Sequence, residues 1–136
     1  MLGAGGTARA VVSALAVAGV GEVSVHVRAA ERATGVVALG ESRGLRVRVA
    51  GLGELPEGAL VVSTLPPGAA DELAPVGPLL DVLYAPWPTP YAIAVSAAGF
   101  AVVGGREVLL GQAAEQVRLF TGREAPVAAM RAALPA

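Results

Sequence analysis

Gly3, Gly5 and Ala8 stand in the spacing Gly-x-Gly-x-x-Ala within the opening stretch MLGAGGTARA. In such a turn the first glycine permits a tight bend and the second lets the backbone approach a pyrophosphate. The small third residue lets the following helix pack on a sheet. The run Gly3, Ala4, Gly5, Gly6, Thr7 and Ala8 is therefore the candidate phosphate cradle, because a helix N-terminus directs its amides at an anion. A dinucleotide site reads the adenosine ribose roughly 20 residues beyond that turn, and there the stretch EVSVHV ends at Val27 and is followed by Arg28. A site for NAD places an Asp or Glu at this point. Arg28 instead offers a planar fork suited to a 2′-phosphate, so the residues favour NADP over NAD. Arg32, four residues on, reads equally as a second cation or as a solvated helix residue, and Arg9 has the same two readings.

The composition narrows the partners. The 136 residues, 54% of them hydrophobic, suffice for one cored domain, and a net charge of -1 from ten basic and eleven acidic residues gives no basic field. Nucleic acid and anionic membrane are not expected, and a small molecule is. With no cysteine and a single histidine, His26, no metal site is expected. No apolar run reaches the length of a membrane span and no basic signal segment precedes the fold, so the expected location is cytoplasmic.

The elements that must position these residues alternate. A helix is predicted from Thr7 to Ala18, stopped by Gly19 and Gly21. EVSVHV puts Val23, Val25 and Val27 on one face, as in a strand. A helix from Ala30 to Glu41 follows, then strands in LRVRVA, ALVVST and LLDVLY, the last over Leu79 to Tyr84. Thr89 and Pro90 form an N-cap and first-turn pair for a helix reaching Ala98. FAVV is a last short strand. Two helices close the chain, one ending at Thr121 and Gly122 and one in APVAAMRAAL. This order predicts an α/β fold, a Rossmann-like doubly wound parallel sheet with flanking helices, whose ligands bind at the carboxyl ends of the strands. Only Met1 and Leu2 precede Gly3, so the first strand is expected to be truncated, its neighbours to lack ladder partners and the glycine turn to lack its anchor.

Several further residues follow strands or interrupt apolar runs. Ser63, Thr64, Leu65 and Pro66 leave a buried strand beside the expected cofactor path, or make an ordinary strand exit. Asp81 is an acid in an apolar strand, costly unless hydrogen-bonded, and is expected to fix a loop. His26 alternates away from the valine face and reads as structural or partly exposed. Gln112 interrupts an apolar helix as a ligand contact or a satisfied core amide.

Taken in order, these motifs resemble the shikimate dehydrogenase family over essentially the whole chain. GAGGTARA is similar to its diphosphate turn, and Arg28 with Arg32 to its NADP-phosphate clamp, although Val27 and Ala29 replace flanking polar residues. STLPPG resembles the loop beside the nicotinamide ribose. DVLYAPWPTP resembles the Asp-x-x-Tyr-x-Pro-x-x-Thr-Pro segment, and GGREVLLGQAAEQVRLFTG the Leu-x-x-Gln and Thr-Gly helix. The resemblance implies cofactor roles for Ser63, Thr64, Leu65, Val82, Tyr84 and Gly105, and for Val108, which replaces a methionine. It implies substrate contacts for Tyr84 and Gln112. It further implies NADP-dependent interconversion of 3-dehydroshikimate and shikimate, in chorismate and aromatic amino acid biosynthesis.

The family's catalytic Lys and Asp belong to an N-terminal substrate domain. This chain contains no lysine, and no catalytic residue is assigned within it. The expectation is a cofactor-binding domain over 1–136 whose C-terminal helices, 106–136, pack toward a missing substrate domain. Alone it is expected to be inactive and to self-associate, and a homo-oligomer is one possible state. Two alternatives are a quinate/shikimate dehydrogenase using NAD and a non-catalytic nucleotide-binding module.

Overall fold

The computed structural model describes residues 1–134; positions 135 and 136, the end of the stretch read as C-terminal helices, lie outside the described residues. The chain runs through α1 (Gly6–Val17), β1 (Glu22–Val27), a 3₁₀ turn (Ala30–Ala33), α2 (Thr34–Ser42), β2 (Arg46–Gly51), β3 (Val61–Ser63) and β4 (Leu79–Asp81). It continues through α3 (Pro90–Ala97), β5 (Val102–Val103), α4 (Gly105–Thr121) and α5 (Val127–Ala133). β1 pairs in parallel with β2, while β3, β4 and β5 form a parallel set of their own. Leu2 joins the two sets, bridging in parallel to His26 of β1 on one side and to Ser63 of β3 on the other.

Four backbone hydrogen bonds make this junction. Leu2 N–H donates to Val62 O at 2.8 Å and Thr64 N–H to Leu2 O at 3.0 Å; His26 N–H donates to Met1 O at 2.8 Å and Gly3 N–H to His26 O at 3.0 Å. Met1 to Gly3 therefore serves as the central strand. The expectation that the turn lacks its anchor is corrected: Met1 to Gly3 bond to His26 on one side and to Val62 and Thr64 on the other, which fixes Gly3, because a parallel strand residue bonds on both sides. Alternation then sends Met1 into one core and Leu2 into the other. Met1 packs with Val12, Val23, Val25, Val36 and Val62, and Leu2 packs with Val61, Leu79, Tyr91 and Val95. The sheet is thus covered on both faces, by α1 and α2 on one and by α3 on the other.

Local chemistry explains the ends of the elements. α1 is Ala-rich and closes at Gly19, with φ +79, where Gly19 N–H donates to Ala16 O and Val20 N–H to Leu15 O, the paired bonds of a Schellman ending. The predicted helix from Ala30 divides into a 3₁₀ turn and α2, because the Thr34 hydroxyl donates to Glu31 O at 2.9 Å and competes with the regular ladder. The strand predicted over Leu79 to Tyr84 stops at Asp81, whose carboxylate accepts from Leu83 N–H at 3.1 Å and turns the chain. His26 is buried, not partly exposed; its Nδ1 lies 3.0 Å from Gly51 O and its Nε2 2.9 Å from Ser24 Oγ, so it has the structural role. Among the described residues no helix is long and apolar enough to cross a membrane.

Asp81 fixes its loop as expected. The Thr89 hydroxyl donates to its carboxylate at 3.1 Å and accepts from Ala92 N–H at 3.1 Å, so one carboxylate holds both the exit from β4 and the cap of α3. Burial pushes the Asp81 carboxyl above its ordinary value, and the Leu83 and Thr89 hydrogen bonds pull it partly back. The folded chain then holds this proton more tightly than the unfolded one. Its contribution is complete below the ordinary carboxylate range and is lost as pH rises through the raised value. Asp81→Asn should remove that pH dependence in urea unfolding; its Oδ1 can keep the bond from Leu83 N–H, while its amide nitrogen cannot accept from the Thr89 hydroxyl. Asp81→Ala should cost about 1–3 kcal/mol by leaving the Leu83 amide and Thr89 hydroxyl unmatched.

Candidate functional site

The parallel order β2, β1, Met1–Gly3, β3, β4, β5 reverses its winding between Leu2 and β3, and a doubly wound sheet opens its ligand crevice at that point. A cleft of about 440 Å³ lies there, within the size of small-molecule pockets. Its walls come from successive strand ends: Leu52 beyond β2, Val27 and Arg28 at β1, Gly3, Ala4 and Gly5 after Leu2, and Thr64, Leu65 and Pro66 after β3. Arg32, at the 3₁₀ turn, joins Arg28 in lining it, and no acid does. A second groove of about 470 Å³, between Trp87, Ile93 and Val102, has no charged lining residue.

Gly3 and Gly5 have different physical reasons for being glycine. Gly3 adopts φ +91, and a methyl on it would stand 2.6 Å from Thr64 Oγ1. The Thr64 hydroxyl in turn donates to Leu2 O at 2.8 Å, the carbonyl that also receives the Thr64 amide. Thr64 therefore pins the turn. Gly5 has an ordinary extended φ of -82 as N-cap of α1, and a methyl on it would meet no protein atom within 4 Å. The space above Gly5 is open to a ligand rather than filled by the fold.

No side chain caps α1 and no acid stands in its first turn, so its N-terminus presents Gly6 and Thr7 as exposed backbone with the positive end of the helix dipole. Bare amides and two arginines together suit the two phosphate positions of a phosphorylated dinucleotide. Ala8 and the strand residue Ser63 are both buried and neither lines the cleft.

The remaining predicted residues form a separate group further along the same sheet edge. Val82 N–H donates to Ser63 O at 3.1 Å, and Gly105 N–H donates to Leu83 O at 3.0 Å. A methyl on Gly105 would overlap the Val82 carbonyl, so the head of α4 rests directly on the β4 exit. Val108 and Gln112 follow at helical spacing on the Gly105 face of α4. Gln112 is exposed, which excludes the core-amide reading, and Tyr84 is also exposed. None of Val82, Tyr84, Gly105, Val108 and Gln112 lines the cleft itself. Conversely, Leu52 and Ala69 line it without having been singled out from the sequence, while Pro66, at the end of the post-strand segment, lines it as expected. Leu52 was recoverable as the residue following a strand end; Ala69 carries no signal.

The strand order, with a glycine turn at its switch point, defines a Rossmann-like doubly wound domain. A family model described as the shikimate 5'-dehydrogenase C-terminal domain matches residues 105–134. Over 97% of its length the chain is 36% identical to a protein of Oleidesulfovibrio alaskensis named shikimate dehydrogenase (NADP(+)), covering 51% of that relative. The crystal structure of Mycobacterium tuberculosis shikimate dehydrogenase superposes with a TM-score of 0.87 at 40% identity, over 98% of this chain and 56% of the other. A shikimate 5-dehydrogenase from Mycobacterium fortuitum gives 0.87 at 42% identity, over 98% and 54%. Over nearly its whole length the chain is thus similar to the C-terminal portion of shikimate dehydrogenases. It spans about half the length of the curated relatives it matches.

The two glycines make separable predictions. Gly3→Ala should lower stability in urea unfolding by about 1–3 kcal/mol, since it adds strain and a clash with Thr64. Gly5→Ala should change stability by less than about 1 kcal/mol, the weaker cap being offset by reduced chain entropy. It should nevertheless weaken nucleotide binding at least as much as Gly3→Ala does.

Proposed function

We propose that this chain is the cofactor-binding portion of an NADP-dependent shikimate dehydrogenase. The observation that carries the reading is the convergence of the Gly3–Gly5 turn, Arg28 and Arg32 on one acid-free cleft at the switch point of the sheet. The exposed amides of α1 hold the pyrophosphate, Arg28 and Arg32 hold the 2′-phosphate, and the loop from Thr64 to Pro66 follows the ribose. Val82, Tyr84, Gly105 and Val108 stand along the edge toward which the nicotinamide end would extend, and Tyr84 and exposed Gln112 offer a hydroxyl and an amide to the substrate. When bound, the cofactor supplies or accepts the hydride that interconverts 3-dehydroshikimate and shikimate.

The proton that accompanies that hydride needs a relay positioned on the substrate, and by family resemblance this is a Lys and Asp pair. No lysine occurs among the 136 residues, so the relay belongs to a substrate domain elsewhere in the complete enzyme. The half-exposed stripe of Val127, Met130 and Leu134, with Leu119 and Phe120 largely exposed on α4, suits a surface that such a domain would cover. A soluble cytoplasmic enzyme acting on a small molecule is the corresponding cellular reading.

Arg28→Ala tests the cofactor assignment. It should weaken NADP by about tenfold or more, the scale of one charge-assisted contact, while changing NAD affinity little, because only NADP carries the 2′-phosphate. Equal losses for the two cofactors, measured by titration, would remove Arg28 from this role and reopen the reading as an NAD enzyme.

A further inference from the structure

α2 contains two glycines, and only one is explained by packing. A methyl on Gly40 would strike the Val47 side chain at 2.5 Å, so that position must stay small for α2 to lie on the sheet. Gly35, in the first turn of α2, meets no such wall. The single atom near a methyl placed there is an Arg9 Nη1, at 3.3 Å. Arg9 belongs to the first turn and a half of α1, so its side chain crosses from α1 to α2 and lays its guanidinium over the bare Cα of Gly35. Gly35 follows Arg32 by three residues, and Arg32 lines the cleft with Arg28.

Glycine in a helix gives up backbone order that alanine would keep, and here it gains space for one cation. The four ion pairs among the described residues engage Arg46, Arg48, Arg118 and Arg131. Arg9, Arg28 and Arg32 are in none of them. Arg28 and Arg32 line the cleft with no acid among its lining residues; Arg9 does not line it but reaches Gly35, three residues beyond Arg32, and an anion bound at Arg28 and Arg32 would draw on its charge.

We propose that Arg9 is a third cation of the clamp, a specificity-determining residue for a phosphate monoester on the adenosine ribose, and that Gly35 is the residue that lets it reach. The proposal rests on the reading of the cleft as an NADP site. Long-range attraction alone would make any surface arginine equivalent; the crossing over Gly35 instead puts the Arg9 guanidinium on the helix that follows Arg32, which makes its effect specific to the ribose phosphate.

The test is calorimetric titration of the full chain with adenosine 2′,5′-bisphosphate and, separately, with AMP, which lacks the 2′-phosphate. Arg9→Gln should weaken the bisphosphate roughly three- to tenfold and leave AMP unchanged. Gly35→Val, which displaces the guanidinium and keeps its charge, should do the same, whereas Arg106→Gln on α4 should alter neither. If Arg28→Ala abolishes the preference for the bisphosphate while Arg9→Gln leaves it intact, the role of Arg9 is overturned and the NADP reading stands. If the unmodified chain binds both nucleotides equally, the reading and the proposal fall together.

Discussion

Leu2 is the residue on which the architecture turns. Its amide and carbonyl reach β3, its neighbours' groups reach β1, and no other described strand connects the two halves of the sheet. Buried backbone groups demand partners, and here the demand from both halves falls on Met1 to Gly3. The same three residues place a side chain in each core, so loss of this pairing would separate the halves and open both hydrophobic clusters at once.

The site inherits its geometry from that junction. Leu2 aims Gly3 at the carboxyl edge, and the Thr64 hydroxyl locks the turn by bonding the Leu2 carbonyl. Strand ends from both halves then face a common cleft, β1 delivering Arg28 and β3 delivering Thr64 and Leu65. At the far side of the sheet, Asp81 plays a comparable organising part through Leu83 and Thr89. Thr64 and Asp81 are therefore polar residues whose main contribution is to position backbone.

Much of this was legible in the sequence because it depends on local pattern. Alternating valines marked β1, glycines marked the end of α1, and Thr89 with Pro90 marked the start of α3. The spacing from Gly3 to Arg28 located two walls of the cleft. What escaped depends on partners distant in the chain. Nothing local to Leu2 says that one residue suffices as a bridge, because its partners lie at positions 26 and 62 to 64. The early end of β4 arises when Asp81 captures Leu83 rather than from any loss of strand propensity at Val82. The burial of His26 requires Gly51 from the next strand, and the crossing of Arg9 over Gly35 requires two helices to pack first.

The most direct test of the account is to titrate the isotopically labelled chain with NADP and follow its amide resonances. The account predicts the largest shifts at Gly5, Gly6, Thr7 and Arg28, with smaller ones at Thr64 and Leu65. Shifts centred instead on Trp87, Ile93 and Ser96, with the glycine turn unmoved, would place the nucleotide in the uncharged groove and contradict it.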